Sequence, residues 1–161
     1  MKNLKIVSLI ILLGIISCKK EKIDGKIKTD SEFASELKSS PENITIGNNT
    51  FFLTTYLWRD FMPVAEENGS PLTCVNSLTE KDSLSIASTI ELKKQYVIKE
   101  NEIWTANYSE ISNPKDFVIE GVVREGPKWG PNITVDVVCE FESDGATYRI
   151  LAKSQEINKT E

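Results

Sequence analysis

The stretch ITVDVVCEFE (Ile133–Glu142), the turn SDG (Ser143–Gly145) and the return ATYRILA (Ala146–Ala152) decide the fold. In the first arm Ile133, Val135, Val137, Cys139 and Phe141 form an unbroken apolar row, while Thr134, Asp136, Val138, Glu140 and Glu142 occupy the opposite row. A period of two is the strand period, because successive side chains of an extended backbone point to opposite sides. Asp144-Gly145 supplies residues that tolerate the positive φ of a two-residue hairpin turn. Tyr148, Ile150 and Ala152 then return along the inner side. The pattern predicts an antiparallel hairpin with one buried face.

The same period runs outward from this hairpin. Ile44 and Ile46 alternate with polar neighbours, Gly47-Asn48-Asn49 turns the chain, and Phe51 to Trp58 is rich in aromatic and β-branched residues. Tyr96 to Ile98 and Ile103 to Tyr108 flank Lys99-Glu100-Asn101 as a second hairpin, and Phe117 to Val123 is a further apolar run. Seven or eight short strands with turns between them predict an all-β chain. The expected architecture is a single β-sandwich over residues 43–161, immunoglobulin-like or transthyretin-like in a broad sense. The alternative is an α+β domain with one helix near 82–94, where Leu84, Ala87 and Glu91 do not alternate cleanly.

Composition bounds the function. The 161 residues carry 19 basic and 24 acidic side chains and no histidine. Histidine-dependent nucleophilic catalysis and histidine-ligated zinc are therefore excluded within the chain. The acidic balance argues against nucleic acid as a partner, since phosphates demand a basic surface. No cofactor fingerprint is present: there is neither a phosphate-binding Gly-Lys-Ser/Thr loop nor a dinucleotide motif.

The N-terminus carries Lys2 and Lys5 followed by the apolar run Ile6 to Ile16. Eleven helical residues span about 16 Å, against a hydrocarbon core of about 30 Å, so the segment is a signal peptide in length rather than a membrane span. It ends in Ile15-Ile16-Ser17-Cys18, which resembles the lipobox of bacterial lipoproteins. The resemblance implies cleavage after residue 17 and acylation of Cys18, which would become the lipid anchor. Two or three acyl chains hold a membrane durably at about 0.8 kcal/mol per buried methylene. It also implies residence in the cell envelope, at the outer membrane, with the face left open. Removing the leader takes two lysines with it and moves the net charge from −5 to −7. Residues 18–42 then read as a charged, flexible tether, because they hold few large apolar groups to offset chain entropy.

Two further cysteines remain, Cys74 and Cys139. In an oxidising compartment a disulfide between them is expected, which would stabilise by about 4 kcal/mol. Two buried thiols are the alternative. Two cysteines without histidine make a poor metal site, and none is expected.

Two aromatic segments offer the candidate site. YLWRDFMP (Tyr56–Pro63) closes the aromatic strand, and GPKWGP (Gly126–Pro131) lies between two strands with a proline near each end fixing its backbone. If the two meet, Trp58, Arg59, Asp60, Lys128 and Trp129 form one binding patch. The competing expectation is that the same residues simply close the end of the fold. Both segments look similar to parts of small exported bacterial proteins without an established activity, so that resemblance carries no site residue and no mechanism. The functional expectation is a non-catalytic binding or accessory module for an envelope protein or glycan. A glycan-directed hydrolase using two carboxylates, or a structural envelope component, are the alternatives.

Overall fold

The computed structural model describes residues 24–161. The expected leader and Cys18, with the residues up to 23, lie outside that range. The elements are β1 (Lys26–Thr29), α1 (Ser31–Lys38), β2 (Asn43–Ile46), β3 (Asn49–Asp60), β4 (Leu72–Glu80), β5 (Glu91–Lys99), β6 (Glu102–Asn107), β7 (Glu110–Lys115), β8 (Val118–Gly126), β9 (Thr134–Ser143) and β10 (Ala146–Thr160). The described residues are mostly β with one short helix.

The strands form one curled, open sheet in the order β1-β6-β5-β9-β10-β3-β4-β8-β7, with β2 added to β3. Hydrogen bonding is continuous because β10 serves both halves. Its first part pairs antiparallel with β9, and its last four residues pair parallel with β3, Ile157 opposite Leu57 and Thr160 opposite Asp60. Within the β9 pairing the register shifts at Ala152/Gln155, where Ser154 has φ 53° and its N–H donates to Asp136 Oδ1 at 2.9 Å. Such a bulge bends a strand and increases its twist, and here it turns the sheet over on itself. Its ends approach at Asp24, whose N–H donates to the Glu125 carbonyl and whose carbonyl accepts from Trp104 Nε1.

The predicted hairpin is present in register. Phe141 opposes Tyr148 and Cys139 opposes Ile150, with positive φ at both Asp144 and Gly145. The β5–β6 hairpin is likewise as read, turning at Glu100-Asn101. Three expectations need correction. Among the described residues there are ten strands rather than seven or eight, joined in one sheet. Residues 82–90 are a loop, and the helix lies at Ser31–Lys38 instead. Residues 26–42, read as tether, contain β1 and α1. Asp30 caps the helix by accepting the Phe33 N–H at 2.9 Å, and Ala34 and Leu37 are buried.

This helix explains an oddity of the decisive hairpin. Val138 sits in the polar row of β9, yet it is buried with Tyr96, Ile98, Ile103 and Leu151 beneath Ala34 and Leu37. The main core lies on the other side, inside the curl, where Phe51, Leu57, Leu78, Trp104, Val137 and Phe141 pack together. The parts of β5, β6, β9 and β10 beneath α1 are therefore buried on both faces. The outer face of the other half, β3-β4-β8, has no covering element among the described residues.

Candidate functional site

The five expected patch residues separate into three roles. Arg59 is 1% exposed and points into the fold. Its Nε donates to the Ser70 carbonyl at 2.9 Å, Nη1 to those of Lys128 and Gly130 at 3.2 and 2.7 Å, and Nη2 to that of Asn68. The guanidinium also lies 5.0 Å from the Phe61 ring centroid. It thus staples two loops, 61–71 and 127–133, to the end of β3. The two loops meet, which the sequence left open, and Arg59 holds them together from within rather than as a surface contact.

Lys128 and Asp60 belong to the same closure. The Lys128 side chain is 11% exposed and its ammonium reaches Glu66 at 2.6 Å. Asp60 Oδ1 accepts the Met62 N–H at 2.9 Å. Trp129 packs against the main core while Lys99 sits over its ring at 5.3 Å.

Trp58 stands apart. Its neighbours Leu57 and Arg59 point inward, so strand alternation sends Trp58 outward together with Tyr56 and Thr54. The Tyr56 and Trp58 rings lie 5.2 Å apart at 31°, and Tyr56 is 51% exposed. Register fixes what surrounds them, because directly opposed residues share a face. Trp58 is flanked by Thr73 and Asn158, Tyr56 by Val75, which in turn opposes Val122, and Thr54 by Ser77, which in turn opposes Glu120. The result is an aromatic pair on an uncovered sheet face, bordered by two valines and by hydroxyl, amide and carboxylate groups. In sequence Trp58 shares a row with Phe52, Thr54 and Tyr56, and that row by itself does not say which side is the core. Leu53 and Leu57 in the alternate row are the signal that decides it.

The interior holds a polar cluster that the sequence did not announce. Asn76 and Gln95 are fully buried, and Asn76 Nδ2 donates to Gln95 Oε1 at 2.8 Å and to the Tyr108 hydroxyl at 3.1 Å. Cys74 Sγ donates to Asn76 Oδ1 at 3.4 Å, and the Tyr108 hydroxyl is hydrogen-bonded to Cys139. Both cysteines are free thiols, which corrects the expected disulfide. Burial pushes the Cys139 thiol up to about 12 and the Cys74 thiol higher still, so neither is a nucleophile at neutral pH.

The most buried carboxylates are also engaged. Glu80 Oε2 accepts the N–H groups of Asp82 and Leu84 at 2.9 and 2.7 Å and so anchors the loop after β4. Glu140 accepts from Tyr96 Oη and Arg149 Nε at 2.9 Å each, with the Lys94 ammonium at 3.2 Å. Burial alone would raise its pKa, but the bonds from Arg149, Tyr96 and Lys94 outweigh burial and hold it below the ordinary carboxylate value. Arg149 reaches on to Glu36 at 2.8 Å, latching α1 to the sheet. Among the described residues no three of Cys, Asp and Glu gather to hold a metal ion.

A crevice opens on the far side of the fold. A cavity of about 420 Å³ lies between the 82–90 loop, the start of β5 and the edge strand β7. Ile86, Ile90, Leu92, Ile111 and Ile119 line it with Asn113. Searches against protein families, curated proteins and solved structures find no match to this chain.

Proposed function

We propose that this chain is a lipid-anchored, non-catalytic module of the bacterial cell envelope that binds glycan through the outer face of β3, β4 and β8. The observation that carries the reading is the Tyr56–Trp58 pair, left partly in water on a sheet face that no element among the described residues covers. Aromatic faces stack on the C–H faces of sugar rings, and flanking polar groups fix hydroxyl orientation. Thr73, Ser77, Asn158 and Glu120 supply that border. The frame is sandwich-like, its two halves sharing β10.

Acylated Cys18 would anchor the module at the outer membrane. Only six positions separate Cys18 from Asp24, so the spacer reaches at most about 20 Å. The folded domain would therefore ride close to the bilayer rather than at the end of a long tether. A hydrolase reading asks for facing carboxylates with one free to carry a proton. Glu140 is instead held ionised by three donors, and Glu80 is occupied by loop amides.

The test is retention of the full chain on immobilised fragments of the envelope's own polysaccharides, wild type beside Tyr56→Ala/Trp58→Ala. Retention of the wild type and its loss in the double variant, with unchanged far-ultraviolet circular dichroism, is the expected result. Equal retention of both proteins would refute the reading.

A further inference from the structure

We propose that the crevice beside β7 receives an extended segment of a partner protein, which adds to the sheet as a further strand and lowers an aliphatic side chain into the cavity. This goes beyond the glycan reading and does not rest on the Tyr56–Trp58 face. β7 ends the strand order, pairs only with β8 among the described residues, and all six of its residues are exposed. Its outer edge therefore presents main-chain N–H and C=O groups at strand spacing, a pattern that another peptide main chain matches.

The cavity lies where such a strand would need it. Ile111 and Asn113, two positions apart on one side of β7, both line it. A segment laid along this edge would bring every second side chain to the same side. Most of the remaining lining is aliphatic, with Ile86, Ala87 and Ile90 from the loop, Leu92 from β5 and Ile119 from β8 beside the polar Ser88 and Glu91, which suits an aliphatic side chain. Ile111, 53% exposed, waits uncovered at the mouth.

Charge narrows the occupant further. Among the described residues the only ionisable lining group is Glu91, and no basic group lines the cavity. That disfavours a fatty acid or other anionic head and suits the neutral amides of a main chain. The loop above is fixed in place: Glu80 holds Asp82 and Leu84, and the Ile86 N–H donates to the Asp116 carbonyl at 2.8 Å. The opposite edge, β1, carries Lys26 and Lys28, a common device against strand addition. β7 carries its blocks at one end, where Pro114, Lys115 and a register shift against β8 after Ser112 confine pairing to 110–113.

A library of unconstrained displayed heptapeptides, selected on the full chain and on an Ile111→Asp/Ser88→Trp control, tests the proposal. Both substituted positions are exposed, and circular dichroism checks that the control folds. Selection on the wild type should enrich peptides with aliphatic residues at alternate positions. The best of these, made synthetically, should protect the amides of residues 110–113 from hydrogen exchange. It should lose roughly tenfold or more in affinity on the control, and likewise when its alternate amides are N-methylated. No enrichment over the control, equal binding of the N-methylated peptide, or saturation of the cavity by 1-decanol without any peptide binding would each overturn it.

Discussion

Replacing Arg59 by methionine removes the guanidinium that joins the two end loops to β3 while keeping the length of its stem. Four backbone carbonyls, those of Asn68, Ser70, Lys128 and Gly130, lose a charged donor. A hydrogen bond to a charged group contributes about 1.5–3 kcal/mol, and an orphaned buried carbonyl costs about 1–3 kcal/mol. Loop carbonyls near the surface recover water in part, so about 1 kcal/mol each is the reasonable figure, or about 4 kcal/mol together. With a urea slope of roughly 1.5 kcal/mol/M, the midpoint should fall by about 2.5 M. Arg59→Lys, which keeps the charge but not the fork, should fall between the two. Hydrogen exchange should accelerate first in 61–71 and 127–133. A methionine variant whose midpoint lies within about 0.5 M of the wild type would refute the staple.

Other consequences follow from burial and ionisation. Leu37→Ala should cost about 2–5 kcal/mol in urea unfolding, because Leu37 is completely buried under the sheet; a negligible loss would return α1 to the tether. Gly126→Ala should cost about 1–3 kcal/mol, since a Cβ there would stand 2.5 Å from the Trp104 ring, and thermal unfolding would report it. The lowered pKa of Glu140 means that its stabilisation is complete above the unfolded value near 4.5 and disappears as pH falls through the folded value. Wild-type urea midpoints should therefore drop on acidification, and Glu140→Gln should be less stable at pH 7 but flatter below pH 4.5. With Cys18 replaced by serine, Cys74 and Cys139 should resist Ellman's reagent until urea is added, and an intact mass short of two hydrogens would contradict the free thiols.

The strands that could be read from sequence are those whose inward row is purely apolar. In β9 and the first half of β10 that row is unbroken, so register followed from parity alone. β4 alternates just as regularly in burial, but its inward row is Leu72, Cys74, Asn76, Leu78 and Glu80, and its outward row contains Val75. Two buried polar residues and one half-buried, outward-facing valine erase the period. β1 and β7 bury nothing, so hydropathy held no trace of them. Helix α1 looked too polar to fold because only Ala34 and Leu37 are fully buried. Its stability comes from the ready-made apolar surface of Tyr96, Ile98 and Val138, which a local reading does not see. The candidate site failed in the opposite way. Arg59 and Lys128 are polar and lie in loop motifs, which suggests a surface; Arg59 binds the protein's own backbone carbonyls and Lys128 its own Glu66.

The three tryptophans provide the most direct test of the binding face. Each gives one indole N–H signal in a ¹⁵N-correlated NMR spectrum, and the three sit in different places: Trp58 on the outer face, Trp104 in the core, Trp129 at the loop closure. Titration with soluble fragments of the envelope polysaccharide should move the Trp58 signal, together with the amides of Thr73 and Val75, and leave Trp104 in place. Shifts confined to Trp129, or no shift at Trp58 at saturating fragment, would contradict the account.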